Sequence, residues 1–236
     1  MKKWLTLLLL AGPLAAAPNP APLSAPVRLW LAAQAGIHGW KANLTQTRTL
    51  QSLLEPLTAK GRVWLEVPNR FRWELDSAAR QQSNAAAVPT PQTIAISTST
   101  NLLIIYPRLK RVEVIALGPE KTGPWRAALD MLEAGFPRTE TELLARYDVL
   151  SQGVTNQTCQ LRLQPRDETL RRMMPRLEID FDTKDYSLRG TELQFADGST
   201  MRNDFTDIVV NPKLDESMFN PAIAPDYTVV HPQAQH

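Results

Sequence analysis

His38, His231 and His236 are the only histidines of the 236-residue chain, and Cys159 is its only thiol. A metal centre or a serine triad needs imidazoles held by ordered neighbours, and two of the three lie within the last six residues. Glu140 and Glu142 have the spacing of a capped helix start, where two exposed charges suit the positive end of the helix dipole better than they suit acid–base work. No HExxH, GxSxG, Walker or dinucleotide-binding glycine pattern occurs. The sequence therefore predicts no catalytic residue, no metal site and no cofactor. Cys159 has no partner for an intramolecular disulfide, and its alternating surroundings predict a small buried side chain in a strand.

The first residues give an address. Lys2-Lys3, an apolar run from Trp4 to Ala11, then Pro13 and the small residues Ala15-Ala16-Ala17 form the charged, apolar and cleavage regions of a secretory signal peptide. Pro18 favours cleavage after Ala16, which sets residues 1–16 apart as the signal. The junction carries no cysteine for lipid attachment, so a soluble, exported, periplasmic protein is expected. Without Lys2 and Lys3 the 26 basic residues become 24, equal to the 24 acidic ones. That balance excludes a general nucleic-acid binder.

Residues 17–26 read as a flexible proline-rich leader, 27–230 as one domain and 231–236 as a loose tail. A helix is expected over Val27–Ile37, capped by Ser24. Strand alternation then begins at Trp40, Ala42 and Leu44. It is clearest in GRVWLEVPNRFRWEL (61–75), where Val63, Leu65 and Val67 share one face and Phe71, Trp73 and Leu75 share one face, with Arg62, Glu66, Arg72 and Glu74 opposite. Trp64 falls on the charged face and requires something to cover it. Residues 51–59 read as a linking turn and 76–92 as a loop. Further strands are expected near 94–96, 102–106, 111–117, 147–154, 158–164, 177–181, 188–195 and 200–210, with a hairpin turn at Asp197-Gly198. Residues 165–175 read as a solvated loop.

Between the strands the period changes. Trp125, Leu129, Leu132 and Phe136 form one helical stripe, which is either a core-packing helix or a lid over a cavity. Thr139 and Glu142 form a capping box for a second short helix. About eleven strands cannot stay flat and must curl towards a barrel or split into a sandwich.

The order of TQ at 45–46, PNRFRWEL, YPRLKRVEV and the ending DGSTMRNDFTDIVVNPKLDESMFNPAIAPDYTVV resembles the outer-membrane lipoprotein carrier family, LolA, over roughly Val27 to Val230. The resemblance implies a mainly β (α+β) fold, an unclosed antiparallel barrel of about eleven strands covered by an N-terminal helix and a mid-chain helical lid. It implies a non-enzymatic, monomeric periplasmic carrier of acylated lipoproteins or other lipid cargo. Such a carrier is loaded by an ATP-driven inner-membrane extraction complex (LolCDE-like) and emptied onto an outer-membrane acceptor (LolB-like). A lipid- or peptide-sensing regulatory module on the same fold, or a carrier of a different lipid, is the alternative. Phe71 matches the family's cavity phenylalanine. The cavity wall is expected from Leu44, Leu65, Phe71, Trp73, Ile96, Ile104 and Phe181, and the lid from Trp125, Leu129, Leu132 and Phe136. Val67 stands where some members have an arginine thought to hold the lid shut, and Ser99-Thr100 replaces the family's usual Asp-Gly turn.

Overall fold

The computed structural model describes residues 22–67, 70–76, 91–98, 100–117 and 137–232. Helix α1, Ala25–Gln34, starts at Ser24, whose extended backbone (φ −66°, ψ 157°) turns the chain in and whose carbonyl accepts a bond from Arg28 N at 3.1 Å. Pro26, in the first turn, loses nothing by lacking an N–H there. Val27, Trp30, Leu31 and Gln34 form its buried stripe at the spacing of a helix that covers a sheet. The helix stops three residues short of the Ile37 expected from sequence, because the chain turns at Ala35-Gly36 to enter the first strand.

Twelve strands form one sheet, one more than the sequence suggested. The first six are β1 (Gly39–Thr49), β2 (Leu57–Glu66), β3 (Arg70–Asp76), β4 (Pro91–Ser97), β5 (Asn101–Tyr106) and β6 (Arg111–Ala116). The rest are β7 (Tyr147–Thr155), β8 (Thr158–Pro165), β9 (Arg176–Asp182), β10 (Leu188–Gln194), β11 (Thr200–Val210) and β12 (Thr228–Val230). Their order in space is β12-β6-β5-β4-β3-β2-β1-β11-β10-β9-β8-β7. Two antiparallel meanders thus meet where β1 pairs with both β2 and β11, and only β12, parallel to β6, breaks the antiparallel rule. β7 and β12 are the edges, and no ladder between described residues joins them, so the sheet stays open.

Two further segments differ from the sequence reading, and two others follow it. β2 begins at Leu57, inside the expected linking turn, because Leu57 and Thr58 continue the ladder against Arg48 and Thr47. The expected loop at 165–175 contains helix α3, Glu168–Met173, with Asp167 accepting from Leu170 N at 2.7 Å and with Leu170 and the following Met174 buried. Helix α2, Glu140–Arg146, follows its capping box: Thr139 Oγ1 accepts from Glu142 N at 3.1 Å, and Glu142 reaches back to accept from Arg138 N at 2.9 Å. The turn at Asp197-Gly198 forms as expected, with Gly198 at φ 79°, a conformation only glycine adopts without cost.

The two faces of the sheet differ. The inner face carries the main apolar cluster and is covered by α1, whose Trp30 stacks on Phe181 of β9 with centroids 4.9 Å apart and planes within 10°. Gln152 of β7 anchors the start of the helix, accepting from Ser24 N at 2.8 Å and donating to Pro22 O at 2.9 Å. On the outer face of the first meander, Ile96, Ile105 and Val112 form a second cluster around Phe219, brought there by the C-terminal segment after β11. Arg72 donates to Met218 O at 2.9 Å, Thr228 N to Lys110 O at 2.8 Å, and Lys110 pairs with Asp226 at 2.6 Å, so this segment is bonded along its course. It also answers the question posed by Trp64, which packs into this cluster with the Arg62 guanidinium over its ring at 5.3 Å.

Candidate functional site: the inner apolar wall

The hairpin of β2 and β3 sets the wall. Its register pairs Leu65 with Phe71 and Val63 with Trp73, so the period-two alternation of both strands delivers four large apolar side chains to one face. β1 continues the surface with Trp40, Ala42 and Leu44, and Leu44 lies opposite Phe205 of β11. Phe205 meets Trp40 edge to face at 5.3 Å and Trp73 at 6.4 Å. On β5, Leu102 and Ile104 complete this side of the inner cluster.

β4 behaves differently. Arg72 pairs with Ile96 and Trp73 with Ala95, so the inner positions of β4 are Thr93, Ala95 and Ser97, and Ile96 points to the outer face. Ile96 is fully buried against the C-terminal segment's cluster and is not part of the wall, a correction to the sequence reading. Its physical cause is register: a one-residue choice of phase in a seven-residue strand exchanges the faces. The small side chains left inside make a shallow strip between the bulky walls of β3 and β5.

Of the other expected residues, Leu44, Leu65, Phe71, Trp73 and Ile104 come together on the inner face. Trp73 is half-buried and the others are buried. Phe181 shares that face but lies wholly under Trp30. Trp125, Leu129, Leu132 and Phe136 lie outside the described residues. Val67 is partly buried against the same cluster and donates its N–H to His38 O at 2.9 Å.

Two features of this face escaped the sequence reading. Gln46, two residues beyond Leu44, is buried and donates to Asn203 Oδ1 at 3.0 Å, and Asn203 donates to Thr191 Oγ1 at 3.2 Å. This amide ladder crosses β1, β11 and β10 within an otherwise apolar surface. The signal was present, since Gln46 interrupts the apolar phase of β1. The second feature is a cavity of about 520 Å³ between the end of α1, the turn joining β9 to β10, and the end of β11. Ile37, Trp40, Leu188 and Ile208 give it apolar walls, with Asp185, Arg189 and Asp207 also on its lining. Trp40 belongs to both this cavity and the wall.

The buried charge networks lie off the inner wall. On the outer face of the second meander, Glu178 accepts from Gln160 and Arg162, each at 2.6 Å, and Arg202 pairs with Asp180 at 2.5 Å and Asp204 at 2.8 Å. Burial pushes the Asp180 carboxyl above the ordinary aspartate range, opposed by the bond from Arg202. Burial likewise raises the Cys159 thiol, which sits at the inner face of β8 with no exposed surface. Among the described residues no three His, Cys, Asp or Glu side chains gather as metal ligands.

The site is thus an open, strongly curled sheet, antiparallel except for β12, with one apolar face under a helix. The chain belongs to the outer membrane lipoprotein carrier protein LolA family, whose pattern it matches over residues 35–222. Several solved structures resemble it. One is an uncharacterized conserved protein of Thermus thermophilus, with 9% identity, a TM-score of 0.49, and coverage of 89% of this chain and 100% of that one. A second is a putative outer membrane lipoprotein-sorting protein domain of Vibrio parahaemolyticus, at 15% identity, a TM-score of 0.44 and coverage of 83% and 94%. A third is a LolA superfamily protein of Nitrosomonas europaea, at 9% identity, a TM-score of 0.40 and coverage of 84% and 98%. No curated protein matches the sequence.

Proposed function

We propose that this chain is a periplasmic, non-enzymatic carrier that holds the acyl chains of lipoproteins against its inner wall and moves them from the inner to the outer membrane. The observation that carries this reading is the inner face itself, where Leu44, Leu65, Phe71, Trp73, Ile104 and Phe205 form a continuous apolar surface on a sheet left open between β7 and β12. Membership of the LolA family supports the same cargo chemistry. Burying an acyl chain is worth ~0.8 kcal/mol per CH₂, so a sixteen-carbon chain left in water costs roughly 13 kcal/mol. A covered apolar wall removes most of that cost, and release then needs only a membrane that matches it. An inner-membrane ATP-driven extraction complex and an outer-membrane acceptor are the partners this role requires.

The test is purification from the periplasm followed by native mass spectrometry of bound species. Co-purified triacylated lipoprotein supports the carrier. A bound free lipid or peptide would turn the reading towards a sensing module, and an empty protein after lipoprotein overexpression would reject it.

A further inference from the structure

Antiparallel alternation places the β1–β2 loop, the β5–β6 turn and the β8–β9 connection at one and the same end of the sheet. Eleven large apolar side chains are exposed among the described residues, and five of them, Leu53, Leu54, Leu57, Leu109 and Met173, belong to these three connections or their margins. Leu54 is fully exposed and Leu109 71% exposed. The remaining six are scattered over α1, the two edge strands and the opposite end of β11. Single exposed leucines need no explanation, but a concentration from three separate connections at one end marks an interaction surface.

We propose that this end docks on a bilayer, its leucines entering the headgroup and upper acyl region of an anionic phospholipid membrane. Two observations favour lipid over a protein partner. The apolar side chains project from separate tips rather than from one strand or helix face, so a protein would need several matched pockets, whereas a fluid bilayer accepts any spacing. Arg48, near the end of β1, and Arg108, next to Leu109, are exposed and form no ion pair among the described residues, which leaves them to bind lipid phosphates beside the inserted leucines, with Glu55, beside Leu54, the exposed acid that they must outweigh. The inference does not depend on the cavity reading: a chain that carried no acyl cargo could still dock this way.

The test is flotation of protein purified from the periplasm with vesicles of phosphatidylcholine alone or mixed with phosphatidylglycerol. The wild type is expected to float with the mixed vesicles. Leu53→Ser/Leu54→Ser/Leu109→Ser should lower the bound fraction by roughly tenfold or more, with circular dichroism unchanged. Arg48→Ala/Arg108→Ala should lose the preference for phosphatidylglycerol, while Leu150→Ser/Val154→Ser on β7, equally exposed but at the edge, should float like the wild type. A wild type that stays unbound at every composition overturns the proposal, as does a leucine variant that floats undiminished. An arginine variant with its lipid preference intact overturns the anionic assignment.

Discussion

Trp73 of β3 and Phe205 of β11 meet edge to face at 6.4 Å, although β2 and β1 lie between their strands. Three strand spacings in a flat sheet amount to about 14 Å. The two rings therefore record how sharply the sheet curls around its inner face, and they set the width of the wall at its centre. Phe205→Leu removes both edge contacts while keeping an apolar side chain. It should cost about 1–2 kcal/mol by loss of the aromatic pairs and change the near-ultraviolet circular dichroism of the tryptophans, with far-ultraviolet signal retained.

Phe71 and Phe181 share the inner face but differ in what covers them. Phe181→Ala opens a hole under Trp30 and should cost about 3–5 kcal/mol in urea unfolding. Phe71→Ala should cost less and act chiefly on retention of bound acyl chains. Equal losses of stability, with lipid affinity of folded Phe71→Ala intact, would make Phe71 ordinary core.

Val67 packs against the inner cluster, and the resemblance seen in the sequence implies an arginine at its position in some family members. Val67→Arg should reduce binding of an apolar fluorescent dye, because a guanidinium at the rim disfavours an open apolar face. Unchanged or stronger dye fluorescence would count against the rim's control of access.

Gly61 leaves no room for a side chain between β2 and β3, since a Cβ there would sit 2.0 Å from Glu74 O. Gly61→Ala must push backbone against backbone and should destabilise by about 1–3 kcal/mol. Urea midpoints measure it, and an unaffected midpoint would show that the hairpin opens at little cost.

Asp180 titrates with the opposite sign to the turn carboxylates. Asp182 is held below the ordinary range, first by its bond from Lys184 N and then by Arg189, so it contributes stability that is present above the unfolded value of about 3.9 and lost as pH falls through its lower folded value. Asp180 is raised by burial, so its folded form takes up a proton first and its contribution worsens as pH rises from about 3.9 through the folded value. The melting temperature of Asp180→Asn relative to wild type should therefore climb as pH rises from about 4. A falling difference would mean that pairing with Arg202 outweighs burial.

Much of this fold was legible because its strands alternate cleanly. The hairpin of Val63, Leu65, Phe71 and Trp73, the capping box at Thr139 and the turn at Gly198 each carry a local signal strong enough to decide them. Ile96 had no such signal. In β4 both phases offer plausible inner residues, and only pairing with β3 selects one. α3 was hidden because Leu170 is its only buried side chain among charged neighbours, with Met174 just beyond its end, and β12 because three residues carry no period. The amide ladder was visible only as a lone Gln46 in an apolar row, and its partners lie more than 140 residues away, beyond the reach of spacing.

A sheet that does not close keeps two rows of unpaired backbone groups, each a template on which another molecule's strand can grow. Here the two rows are treated unequally. β6 is sealed along half its length by the chain's own last strand, in a parallel pairing of three residues held at its entry by Lys110 and Asp226. The nine-residue β7, at the far side, grips the start of α1 through Gln152 and leaves Leu150 and Val154 exposed. Removing the last strand would therefore replace a three-residue edge by the six residues of β6, and two long free edges per molecule are what open-ended chains of molecules, rather than closed pairs, assemble from.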